Sequence, residues 1–137
     1  MILIINTAKA DRLEVILAKS RDDFKIKKLA GHYQPAQQLL PAISGMLNEA
    51  DQSISDLKGL GVVSGPGGFT ALRIGVVTAN TLAYALKVPV VGLTLEEFSG
   101  HQDLIDQVLI KLKDVRAGAI VLPAYGREPN ITDSRKQ

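Results

Sequence analysis

The stretch that decides the fold begins Leu60-Gly61-Val62-Val63-Ser64-Gly65-Pro66-Gly67-Gly68-Phe69-Thr70-Ala71-Leu72-Arg73-Ile74-Gly75. It continues through an apolar segment to Leu86 and ends at Val88-Pro89-Val90-Val91-Gly92-Leu93. Residues 60–63 read as a short buried strand, apolar on both faces. Gly65 to Thr70 is a tight turn. From Ala71 to Leu86 the residues Leu72, Gly75, Val76, Ala79, Leu82, Ala83 and Leu86 share one helical face, with Thr70 as the predicted N-cap. Residues 88–93 return to a strand. Strand, helix, strand over 60–93 is a βαβ unit, whose strands should be parallel with a right-handed crossover.

Upstream, residues 2–5 form a continuous branched apolar run, predicted to be a central strand. Residues 13–19 read as a second strand and 24–29 as a third, joined in a meander. Lys25, Lys27 and Lys28 suit an outer strand whose charges protect the edge. The period then changes. Between Pro35 and Ala50, Leu39, Leu40, Ile43, Met46 and Leu47 recur at helical spacing, with Pro41 near a kink or the first turn. Ser53 to Lys58 is polar, with Ile54 and Leu57 as anchors. Downstream, Thr94 and Glu97 have capping-box spacing. Gln102 to Arg116 reads as a helix ended by Gly118, residues 119–129 as extended and 130–137 as a frayed end. Three antiparallel strands, a helix, then parallel strands with helices define an α/β class. The expected architecture is a ribonuclease-H-like single lobe of the actin/Hsp70 kinase (ASKHA) type, a mixed five-stranded sheet with flanking helices. Fold analogy alone assigns no function.

Composition narrows the possibilities. The 137 residues are 46% hydrophobic and 22% charged, which suits one cored domain and not a disordered chain. A net charge of +2, with no block of like charge, gives no argument for nucleic-acid binding. The absence of cysteine excludes disulfides, thiolate metal sites and a cysteine nucleophile. Met1 to Ile5 lacks the basic flank and length of a signal peptide. No run reaches the roughly 18 consecutive apolar residues of a membrane span. The expectation is a soluble cytoplasmic protein.

The loop Gly65, Pro66, Gly67, Gly68, Phe69, Thr70 joins a strand to a helix N-terminus, where free N–H groups and the helix dipole can cradle phosphate. No Lys-Ser/Thr pair follows it, and position 70 breaks the G-x-G-x-x-G spacing. A turn allowing close helix–sheet packing is the other reading. Asn6 ends the first strand, where kinases of this fold place an aspartate. An amide is a poor magnesium ligand and no general base, so a turn-capping role is simplest. His32 and His101 are far apart, which argues against a histidine metal pair; no metal or cofactor is expected. Asp11, Asp22, Asp23, Glu96 and Glu97 read as solvated or capping. Helix 71–86 is apolar over most of its circumference. Either this domain buries it on several sides, or it also packs on another protein.

The run from Ser64 to Gly75 resembles the signature of the TsaB (YeaZ) family, whose usual form is G-P-G-S-F-T-G-[LV]-R-I-G. Ile2 to Ala8 is similar to that family's I-L-x-I-D-T-[SA] opening, Gln38 to Ile43 to its L-L-P-x-I helix, and Pro123 to Thr132 to its P-x-Y-x-R-x-P ending. The resemblance covers residues 1–98 well and 119–132 moderately. It implies a non-catalytic role in making the threonylcarbamoyladenosine modification of tRNA. The protein would bind and activate TsaD, the metal-holding enzyme, as a heterodimer through helices of its first lobe. The ATPase TsaE would join at the same junction, self-pairing would use the same helices, and tRNA contact would be indirect at most. By motif match the partner-facing residues are Arg73, Ile74, Val77, Asn80, Thr81 and Tyr84, with Leu39, Leu40, Ile43 and Leu47 from the other helix, although some of these must face the core. The alternative is an ATP-binding phosphotransferase or hydrolase using the Gly65–Thr70 loop.

Three departures from the family pattern stand out. Asn6 replaces its Asp, Gly68 its Ser and Ala71 its Gly. Family members usually carry a second lobe where this chain has only residues 99–117. The expected organisation is therefore a first lobe over 1–98, a helical replacement of the second lobe over 99–118, and an extended tail over 119–137.

Overall fold

All five residues of β1 (Ile2–Asn6) are buried, because this strand lies at the centre of the sheet with cover on both faces. It pairs antiparallel with β2 (Arg12–Ser20), which pairs antiparallel with β3 (Asp23–Ala30). On its other side β1 pairs parallel with β4 (Gly59–Gly65), and β4 pairs parallel with β5 (Val90–Thr94). The order β3-β2-β1-β4-β5 is the mixed five-stranded sheet expected, with the lysine-bearing strand at one edge. A computed structural model describes residues 1–30 and 34–125. His32 and the expected frayed end fall outside the described residues.

Strand alternation divides the core in two. Leu3, Ile5, Val15, Leu60 and Val62 face α1 (Pro35–Glu49) and α2 (Phe69–Leu86). Ile2, Ile4, Ile16, Val91 and Leu93 face α3 (Gly100–Leu112), which buries Leu104, Ile105 and Val108 against them. By length and composition α2 could cross a membrane. Here it is a core helix, its Leu72, Gly75, Val76, Ala79 and Ala83 buried on the sheet side.

Two helix boundaries differ from the sequence expectation. α2 starts at Phe69, with Gly68 as N-cap and no side-chain cap; the Leu72 N–H bonds the Gly68 carbonyl at 2.9 Å. Thr70 is therefore inside the helix. Helix α1 starts at Pro35, where the sequence places it, and runs on through Pro41, which lies past the first turn. Helix α3 ends at Leu112, not Arg116, as the chain tightens into turns such as Asp114 N–H to the Lys111 carbonyl at 3.1 Å. Val115 still packs into the same cluster after the helix has ended, which is why the apolar period ran on.

At β5, Lys111 Nζ donates to the Gly92 carbonyl at 3.3 Å and pairs with Glu97 at 3.0 Å. The capping-box spacing is realised there too, with the Thr94 N–H on Glu97 Oε1 at 2.9 Å.

Candidate partner-docking surface

Helix α2 is bounded differently around its circumference. Its sheet side is closed by small residues. At Gly75, the side chain of Thr7 occupies the place a Cβ would take, so only glycine lets the helix approach the end of β1 so closely. Thr7 Oγ1 is buried there with no hydrogen-bond partner among the described residues. On the opposite side Tyr84 is 83% exposed, Val77 55% and Phe69 52%; Arg73 and Thr81 are exposed as well.

One flank of α2 is covered by residues 117–125. Gly118 shares a cavity with Ala83 and Tyr84 at the helix C-terminal end. In the middle, Asn80 Nδ2 donates to the Val121 carbonyl and the Val121 N–H donates to Asn80 Oδ1, each at 2.9 Å. At the N-terminal end, Tyr125 stacks edge-on against Phe69 with ring centroids 4.5 Å apart, and Arg73 Nε donates to its hydroxyl at 3.4 Å. The Ala124 N–H bonds the Ser64 carbonyl at 2.7 Å. Val121 points inward against Gly92 and the core.

The glycine loop is packed against its own chain. Gly65 holds a φ of 141°, closed to L side chains, with the Ala124 carbonyl where a Cβ would stand. Gly67 lies against the backbone of Ala8. The Gly65–Pro66 peptide bond is cis. Close helix–sheet and tail packing thus accounts for the Gly65 and Gly67 positions. Asn6 forms the expected turn, its Oδ1 accepting the Ala8 N–H at 3.0 Å.

The residues singled out by motif therefore divide. Arg73, Val77, Thr81 and Tyr84 form an exposed ridge on α2, and Leu40 is exposed on α1. Leu39, Ile43 and Leu47 do not face outward. The apolar stripe of α1 points to the sheet, and these three are buried in the core. Ile74 is half-buried against the same cluster. Asn80 is committed to Val121 instead of standing free.

A second cluster was not anticipated. Glu14, buried on β2 beside Asn6 of β1, receives Arg12 Nε at 2.8 Å and lies 3.1 Å from His101 Nε2 on α3. Burial pushes its carboxyl up, but hydrogen bonds from Arg12 and His101 and the nearby charge of Lys9 outweigh this and hold it below its ordinary value. The available signal was an acidic residue inside the otherwise apolar run Leu13-Glu14-Val15-Ile16-Leu17. Among the described residues, no group of three or more His, Asp or Glu residues is arranged to hold a metal ion.

Fold and surface together define a ribonuclease-H-like lobe of the ASKHA class with one apolar helix face left open. The family whose sequence model matches residues 32–102 is described as "TsaD: tRNA N6-adenosine threonylcarbamoyltransferase". The tRNA threonylcarbamoyladenosine biosynthesis protein TsaB of Bacillus subtilis is 33% identical over 63% of this chain and 38% of its own length. That of Escherichia coli is 30% identical over 69% of this chain and 42% of its own. The structure of YeaZ from Pseudomonas aeruginosa superposes with a TM-score of 0.62 at 28% identity, covering 68% of this chain and 43% of that one. The chain belongs to the TsaB (YeaZ) family, and it spans about two-fifths of the length of these relatives.

Proposed function

We propose that this chain is a non-catalytic partner subunit in synthesis of the threonylcarbamoyladenosine modification of tRNA, binding a TsaD-type enzyme through α2. The observation that carries this reading is the exposed ridge Arg73, Val77, Thr81 and Tyr84, with Val77 and Tyr84 its apolar members, on a helix that buries Leu72, Gly75, Val76, Ala79 and Ala83 on its sheet side. Val77 and Tyr84 lie about two helical turns apart on this ridge with Thr81 between them, and exposed apolar side chains grouped on one face mark an interaction site more often than singly scattered ones do. Two relatives carry the pathway in their names. Asn6, with Oδ1 engaged by the Ala8 N–H, supports a supporting rather than a catalytic role.

The mechanism is differential binding. The subunit stabilises the active arrangement of TsaD by no more than its preference for that arrangement over others. TsaE joins the complex, self-pairing competes for the same helix, and tRNA is held by the partner, all in the cytoplasm. Light scattering on a sizing column, with this chain alone and mixed with TsaD from the same genome, tests the reading. A one-to-one complex is expected; two separate peaks at micromolar concentrations of both proteins overturn it.

A further inference from the structure

The sheet ends at β5, so one edge of that strand has no neighbour in the sheet. The Leu60 N–H bonds the Pro89 carbonyl at 3.0 Å, which fixes the phase of the parallel ladder. Val91 and Leu93 turn their main-chain groups to β4, and Val90, Gly92 and Thr94 turn theirs outward. Such a row invites the addition of another strand. The opposite edge, β3, is guarded by Lys25, Lys27 and Lys28. The stretch Val90-Val91-Gly92-Leu93-Thr94 has neither charge nor proline to do the same. We propose that the Lys111–Glu97 ion pair is an autoinhibitory contact that shuts the β5 edge against pairing with β5 of a second copy of the chain. The inference stands apart from the function proposed above.

The ion pair stands in for one residue of a sixth strand. In a parallel ladder a single incoming residue would donate its N–H to the Gly92 carbonyl and accept the Thr94 N–H. Here Lys111 Nζ supplies the donor, 3.3 Å from the Gly92 oxygen, and Glu97 Oε1 supplies the acceptor, 2.9 Å from the Thr94 nitrogen. The ammonium and the carboxylate are themselves joined at 3.0 Å, so displacing either one disturbs both contacts.

A second copy is the intruder that fits, because the outward row is symmetric about Gly92. Laid antiparallel, the two Gly92 residues would exchange both main-chain bonds, and each Thr94 would do the same with the other copy's Val90. That contact is isologous, so one open edge supplies both halves. There is room for it. A cavity of about 360 Å³ runs along Val90 and Gly92, walled by Lys111, Val115, Ile120 and Leu122. Ile120 and Leu122 belong to the strap of residues 117–125 and are exposed, so an arriving strand also gains apolar contact. It needs the Gly92 carbonyl and the Thr94 N–H, and Lys111 and Glu97 already hold them.

Lys111→Met tests this, since it keeps the apolar stem and removes the ammonium. Light scattering on a sizing column, over a hundredfold range of concentration, compares it with the unaltered chain, and amide hydrogen exchange locates any contact. The variant should reach at least twice the mass of the unaltered chain at the top of the range. Exchange at Val90 and Gly92 should slow tenfold or more. Equal masses at every concentration overturn the proposal and leave the ion pair as a staple between α3 and β5. A larger mass with Val90 and Gly92 exchanging as fast as before overturns it too, because the copies then meet elsewhere. If Lys111→Met does not fold, Glu97→Ala decides by the same two readings, since it frees the Thr94 N–H from an exposed position.

Discussion

The side-chain amide of Asn80 bonds both main-chain groups of Val121, each at 2.9 Å, as a neighbouring strand would. One side chain of α2 thereby anchors a segment 41 residues away along the chain. Asn80→Asp keeps the acceptor for the Val121 N–H but sets a carboxylate against the Val121 carbonyl. We expect a loss of about 1–3 kcal/mol, read as a shift in urea midpoint at pH 7. An unchanged midpoint would show that the strap is held by Tyr125 and Ala124 alone.

Glu14 predicts how stability responds to acid. Its folded-state pKa lies below the unfolded value, because Arg12, His101 and Lys9 outweigh the cost of burial. The folded chain therefore binds fewer protons than the unfolded chain between the two values. The contribution is complete above the unfolded pKa, about 4.3, and is lost as pH falls through the folded one. Glu14→Gln should cost about 1–3 kcal/mol at neutral pH and flatten the acid limb of a stability curve taken from pH 3 to 7. Parallel limbs in the two proteins would remove Glu14 from the account.

Gly75→Ala sets two effects against each other. Alanine favours the helix by about 1 kcal/mol. Its methyl, however, takes the space of the Thr7 side chain, which is short and enclosed. Overpacking should win, with a net loss of about 1–3 kcal/mol. Because Thr7 Oγ1 has no hydrogen-bond partner among the described residues, Thr7→Ala sacrifices no bond there, and the double variant should recover most of the loss. A double-mutant cycle in urea measures this coupling; additive losses would place the clash elsewhere.

Charge on the α2 ridge separates fold from association. Val77 and Tyr84 are exposed, so Val77→Glu and Tyr84→Glu should each leave stability within about 0.5 kcal/mol. Association with TsaD should be lost. Stability and association falling together would return these residues to the core.

Legibility in the sequence followed the range of the interactions. The βαβ unit over residues 60–93 is written in local period, and its strands and helix are found with boundaries within about two residues of where that period puts them. The start of α2 is not legible in that period, because it is set by where the chain leaves β4 and bonds through the Gly68 carbonyl, not by a hydroxyl cap. The sequence offers Leu39, Leu40, Ile43 and Leu47 together and leaves open which of them face the core, because the direction of an amphipathic stripe depends on which neighbour it meets. Asn80 and Glu14 find partners 41 and 87 residues away. Nothing local announces such pairs, apart from a carboxylate standing in an apolar strand.

The sheet order has one more consequence, for the order in which the chain is made. Its central strand is made before the neighbour on its second edge, and Ile2 must wait for Gly59 before that edge is filled. Until β4 exists, the meander of β1, β2 and β3 carries its most apolar strand as a bare rim. Any fragment ending before Gly59 exposes that rim permanently, a ready template for other chains. The nascent protein is most prone to aggregate just before β4 emerges.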